Sequence, residues 1–158
     1  MVFPRAFIAG KYLVETDREH ILDLMEEVDL RSTVILEKQP SKYDVPEIVT
    51  STANIISYQP TNVKIEVQGD GGFLVLSDPY YPGWRAYVNG KNAEILKANY
   101  TFRAVQIPKG KCLVEFSYRP MPFYLGIVLA WSAFMCLCGA LFMKNGKFQK
   151  IPFVSYLK

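Results

Sequence analysis

Four aromatic side chains crowd into ten residues at Asp78-Pro79-Tyr80-Tyr81-Pro82-Gly83-Trp84-Arg85-Ala86-Tyr87. Two prolines and a glycine make this segment a stiff loop that enters a strand. Aromatic faces beside an Asp and an Arg can stack on a sugar ring and hydrogen-bond its hydroxyls. Asp78, Tyr80, Tyr81, Trp84, Arg85 and Tyr87 therefore form a candidate glycan-binding set. The same residues also suit the end of a hydrophobic core with Trp84 filling it, and the sequence leaves both readings open.

Other chemistry is sparse. The lone histidine, His20, sits in the first turn of an expected helix, and no hydrolase signature surrounds any serine. Glu26 and Glu27 are adjacent, and adjacent helical residues diverge. Gly69-Asp70-Gly71-Gly72 lacks both a phosphate-loop lysine and dinucleotide spacing, so it reads as a hairpin turn. Cys112, Cys136 and Cys138 fit neither a disulfide framework nor a zinc pattern. Asn99-Tyr100-Thr101 matches a short glycosylation sequon. No catalytic residue, cofactor or metal is expected from these features.

The elements that position this set fall in two parts. Phe123–Met143 is an uncharged run of 21 residues, nine of them Leu, Ile, Val or Phe. At about 1.5 Å per residue it spans roughly 31 Å, the thickness of a hydrocarbon core. A transmembrane helix in a lipid bilayer is expected, with Pro122 at its start and a basic tail, residues 144–158, after it. Gly126, Ala130 and Ala133 share a face and form a candidate helix-packing seam against a multi-spanning membrane partner. Residues 1–122 carry 14 Lys and Arg against 15 Asp and Glu, and the tail carries four lysines and no acid. A near-neutral main domain argues against nucleic acid. Lys109, Lys111 and Arg119 before the helix nearly balance the four lysines after it, so charge alone leaves the orientation open.

In residues 1–122 the pattern predicts one or two strands in Phe7–Glu15 and a helix opened by a Thr16-Asp17-Arg18-Glu19 capping box. Ile21, Leu22, Leu24, Met25 and Val28 should form its buried stripe. Strands follow at Thr33–Lys38, Ala53–Tyr58, Val63–Val67 and Phe73–Leu76, with Ser41–Pro46 as a loop. Trp84–Val88 and Ala93–Leu96 should flank an Asn89-Gly90 hairpin turn. Phe102–Ile107 and Cys112–Tyr118 should pair around Pro108-Lys109-Gly110. Eight or nine strands with short connections predict a mainly β protein. The expected fold is an antiparallel β-sandwich or jelly-roll-like domain with one early α-helix, then a single transmembrane helix.

Several of these pieces together resemble the C-terminal region of the YfhO family of bacterial membrane proteins. They are the turn Tyr81-Pro82-Gly83-Trp84, the Asn89-Gly90 pair, Ala98-Asn99 with Phe102-Arg103-Ala104-Val105, and the Pro108–Gly110 turn, followed at once by an apolar helix. The opening, from Pro4 through the first helix to Thr33–Lys38, is similar too. The resemblance implies a glycosyltransferase-like parent with many membrane spans that modifies cell-wall or lipid-linked glycans in the cell envelope. The family's catalytic acid would lie in a loop absent from this chain. The chain is then expected to be a non-catalytic extracytoplasmic domain (1–122), the last helix (123–143) and a cytoplasmic basic tail (144–158). Competing readings are a stand-alone membrane-anchored carbohydrate-binding module and a structural subunit that docks by its helix.

Overall fold

The structure is a computed structural model that describes residues 4–41 and 50–145. Most of the expected Ser41–Pro46 loop and the tail from residue 146 onward lie outside the described residues. The chain divides into two compact units, Met1–Pro120 and Met121–Lys158.

The first unit is a mainly β sandwich of two sheets with one early helix. Its strands are β1 (Ala6–Ala9), β2 (Lys11–Val14), β3 (Thr33–Leu36), β4 (Thr52–Gln59), β5 (Asn62–Gly69), β6 (Gly72–Pro79), β7 (Trp84–Val88), β8 (Lys91–Ala93), β9 (Leu96–Ala98), β10 (Phe102–Ile107) and β11 (Gly110–Tyr118). One sheet runs β1-β6-β10-β9-β3-β2 and the other β4-β5-β11-β7-β8. Every pairing is antiparallel except β2 with β3, where α1 (Arg18–Glu27) provides the crossover that a parallel pair requires.

The strands form where alternation demands it. Val63, Ile65 and Val67 on β5 and Val114 and Phe116 on β11 face the other sheet. They meet Leu74, Leu76, Val105 and Ile107 from β6 and β10. The opposite face of the six-stranded sheet is covered as well. Phe7, Phe73, Val75 and Ala104 pack there against Val34, Leu36 and Tyr12. β1 and β2 lie at opposite edges of that sheet, yet only Gly10 separates them in the chain. The sheet must therefore curl until its edges approach, and Tyr12 of β2 meets the Phe73 ring edge-on at 5.4 Å. Phe73–Leu76 is apolar at every position because both of its faces are buried.

Three local expectations are corrected. Gly69–Gly72 does not close a hairpin, because β5 and β6 belong to different sheets. It carries the chain across the sandwich, with Gly69, Gly71 and Gly72 all at positive φ. Phe102–Ile107 and Cys112–Tyr118 do not pair either; the Pro108–Gly110 turn is a second sheet-to-sheet crossing. The Asn89-Gly90 turn does close a hairpin, with both residues at positive φ, but its second strand is Lys91–Ala93, and Leu96 belongs to β9 of the other sheet. On α1 the N-cap is Asp17, one residue after the expected Thr16, and its carboxylate accepts from the Glu19 N–H at 3.0 Å. Glu15 accepts the N–H groups of Thr16 and Asp17, which holds its carboxyl below the usual range. Only Ile21 of the expected stripe is fully buried, and Leu22 is exposed.

The second unit contains α2 (Met121–Asn145), two residues longer at each end than the expected span. Met121–Met143 has a mean hydropathy of 2.2 and is long and apolar enough to cross a membrane. Ser132 donates its hydroxyl to the Leu129 carbonyl at 2.8 Å, so the one hydroxyl near its middle is satisfied within the helix.

The crossing at Gly72 is tight. A Cβ there would lie 2.7 Å from the Ala9 carbonyl oxygen at φ +130°, whereas at Gly90 (φ +76°) it would meet open space. Gly72→Ala should therefore cost about 2–3 kcal/mol and Gly90→Ala about 1 kcal/mol. Urea unfolding of the two variants in micelles checks that order; equal losses would mean that the crossing tolerates a side chain.

Candidate functional site

At one end of the sandwich the inter-sheet core closes on a buried charge. Arg103 on β10 is in phase with Val105 and Ile107, and Asp78 on β6 with Leu74 and Leu76. Both side chains thus enter the space between the sheets. Arg103 is 2% exposed, and its Nη2 donates to Asp78 Oδ2 at 3.0 Å. The guanidinium lies over the Trp84 ring, 3.8 Å from the centroid, and 5.2 Å from that of Phe116. Among the described residues, Nε and Nη1 of Arg103 have no hydrogen-bond acceptor. The two ring faces stand in for one. Burial lowers the Arg103 pKa and the Asp78 carboxylate raises it again. An arginine begins so high that it stays charged.

Asp78 is itself enclosed. Tyr58 on β4 donates its hydroxyl to Oδ2 at 3.1 Å, and Arg5 Nε sits 3.4 Å from Oδ1. Burial, reinforced by the Asp78 carboxylate, raises the Tyr58 pKa. The Arg5 guanidinium also lies over the Tyr58 ring at 4.4 Å. These contacts join the start of β1 to β4, so one carboxylate ties an edge of each sheet to β10.

The six residues singled out in the sequence separate into three groups. Asp78 and Trp84 face inward, where Trp84 also packs on Tyr118 at 5.3 Å. Arg85 and Tyr87 alternate with the buried Ala86, and their side chains lie on the outer face of the second sheet, opposite Ser117 and Glu115. Tyr80 and Tyr81, on the loop between β6 and β7, are 42% and 62% exposed. That loop is held at both ends. The Tyr80 N–H donates to the Thr101 carbonyl, and the Arg119 N–H donates to the Gly83 carbonyl. Gly83 has φ +106°, and a Cβ there would lie 2.9 Å from the Tyr118 ring. What the geometry presents to solvent is thus a two-tyrosine rim.

Arg103 and the turn at 99–101 were missing from the candidate set. The signal for Arg103 was its phase with Val105 and Ile107, and for Asp78 its phase with Leu76. Asn99 is 1% exposed, its Oδ1 accepts the Ile35 N–H at 2.9 Å, and its own N–H donates to the Ile35 carbonyl. The sequon nitrogen is buried with it, so this asparagine is a structural pin and not a glycan attachment point.

Removing either member of the buried pair leaves the other charge uncompensated. Arg103→Met and Asp78→Asn should each destabilise the fold by about 3–5 kcal/mol, and the double variant by less than the sum. A double-mutant cycle by urea unfolding measures this; strict additivity would mean that the pair is not coupled.

Comparison with known proteins fits the motifs around this end. A family model described as bacterial membrane protein YfhO matches residues 29–130. A relative from Bacillus subtilis (strain 168), an uncharacterized protein YfhO, is 33% identical over 58 residues. The match covers 37% of this chain and 7% of that relative, so the shared stretch is a small part of that relative's length. No solved structure matches the chain. The family match takes in Asp78, Arg103, Trp84 and the start of the apolar helix, and it covers well over half of the sequence: the chain belongs to the YfhO family of bacterial membrane proteins.

Proposed function

We propose that the chain is the extracytoplasmic β domain and closing membrane helix of a larger YfhO-type, glycosyltransferase-like protein. In this reading its exposed tyrosine rim holds a glycan acceptor for transfer performed elsewhere in the parent. The carrying observation is the pair Tyr80–Tyr81, exposed on a loop that Pro79, Pro82 and two backbone hydrogen bonds hold still. Flat, pre-positioned phenol rings bind a sugar face with little ordering cost.

The apolar helix resides in the bilayer. The flanking charges nearly tie, so the placement of the β domain outside, in the cell envelope, rests on the family resemblance: preceding helices of a multi-spanning parent would deliver it there and leave the lysine tail in the cytoplasm. Gly126, Ala130 and Ala133, at i, i+4 and i+7, form the face that lets another helix of the parent approach. This region contributes positioning, and the bond-making residues belong to other parts of the parent.

The test is Tyr80→Ser with Tyr81→Ser in the intact parent protein. Each stacking contact is worth on the order of 1–2 kcal/mol, so glycan incorporation in membranes should fall about tenfold or more at an unchanged protein level. Undiminished incorporation would overturn the acceptor reading.

A further inference from the structure

Beside the rim lies a cleft of about 260 Å³ lined by Arg18, Pro79, Tyr80, Lys97, Tyr100 and Thr101. The Arg18 guanidinium lies 5.9 Å from the Tyr100 ring centroid, and the Lys97 ammonium lies 5.7 Å from it. Two cations therefore approach one phenol at the head of α1 and on β9. Lys97 is paired with Glu37, while Arg18 is exposed and lies over the ring.

The backbone that presents Tyr100 is strained. Asn99 has φ +43° and Tyr100 φ +69°, two successive non-glycine residues in the left-handed region. Asn is among the residues that tolerate this region; a tyrosine is not. The Asn99–Ile35 hydrogen bonds hold the turn against that strain. Glycine at position 100 would relieve it, so the tyrosine side chain is held there at a cost. Backbone strain of this kind gathers at ligand clamps. The Tyr80 N–H to Thr101 carbonyl bond joins the cleft to the tyrosine rim.

We propose that this cleft is a subsite for an anionic saccharide unit, a sugar bearing a phosphate or carboxylate. Arg18 and Lys97 would receive the anion, with Lys97 exchanging Glu37 for it, while Tyr100 and Tyr80 take the ring face. The volume lies just below the roughly 300–1,000 Å³ of drug-sized sites, which suits one sugar unit and not a chain. The inference rests on the acceptor reading of the adjoining rim and specifies the charge of what that rim would hold.

Direct binding to the full chain in zwitterionic nanodiscs tests it, with glucose 6-phosphate and glucuronate as probes. Glucose, inorganic phosphate and glycerol 3-phosphate serve as comparisons. Both anionic sugars should bind about tenfold tighter than any comparison, and added salt should weaken them. Arg18→Gln and Lys97→Gln should each reduce that affinity about fivefold. Tyr100→Asn, which tolerates the left-handed turn, should abolish the preference for sugars over glycerol 3-phosphate while the chain melts no lower than the parent. Equal affinity for glucose would remove the anion subsite. Equal affinity for glycerol 3-phosphate or inorganic phosphate would leave a headgroup or bare-anion site and overturn the saccharide assignment. Anionic-sugar binding that survives all three substitutions would place it elsewhere and overturn the proposal. Because binding is read on this chain without glycan transfer, it fails or succeeds separately from the acceptor test.

Discussion

A single buried guanidinium organises the end of this sandwich. Arg103 projects from β10 into the space between the sheets, and Asp78 meets it from β6. Each ion alone would cost several kcal/mol to desolvate, so neither is tolerable there without the other. The second sheet supplies the rest of the enclosure through Trp84 and Phe116. Tyr58 and Arg5 then take the remaining capacity of the carboxylate and link β4 to the start of β1. An apolar pair of similar volume would fill the same space, but it would not fix which strands lie over which. The charged pair is directional, and beside it the Tyr80 N–H to Thr101 carbonyl bond holds the loop from Pro79 to Gly83 against the turn at Asn99–Thr101.

The chain path explains why the two sheets carry so many glycines and prolines at their crossings. β5 to β6 and β10 to β11 each move from one sheet to the other, and both crossings use short turns with positive φ. The six-stranded sheet curls so far that its two edges are joined through Gly10. One face of it builds the inter-sheet core and the other builds a second apolar cluster around Phe73. A sheet buried on both faces needs strands such as Phe73–Leu76 with no polar phase. Such strands in turn leave the loops at the open end as the places where polar chemistry can gather.

Much of this was legible in the residues. The alternation of Val63, Ile65 and Val67 marked β5, and the left-handed tolerance of Asn89-Gly90 marked a hairpin turn that the structure contains. The uncharged run after Pro122 marked a helix fit for a bilayer. What failed was non-local. A Pro-x-Gly or Gly-rich turn shows where the chain reverses, but packing at distant positions decides whether it returns to its own sheet. The stripe on α1 was overcounted at Leu22 because sequence spacing cannot show how little of a helix a curled sheet covers. For Trp84 and Asp78 the sequence left core packing and ligand contact both open, because aromatic and charged types look alike at a surface and at a buried ion pair. Their phase with Ala86 and with Leu76 was the available sign that they face inward.

The account stands on the claim that Arg103 is buried, charged and capped by Trp84. Nitrogen-15 NMR of the arginine Nε–H groups in the full chain reads that state directly, because a ring-current shift combined with exchange protection marks a buried, ring-capped guanidinium, whereas Arg5 over Tyr58 is exposed. One of the six arginines should give an Nε–H signal that is both upfield-shifted and still present at a pH where the exposed ones, Arg5 and Arg18 over their tyrosines included, have exchanged away, and Trp84→Leu should remove that shift. Six arginine signals that exchange alike, with none displaced by a ring, would contradict it.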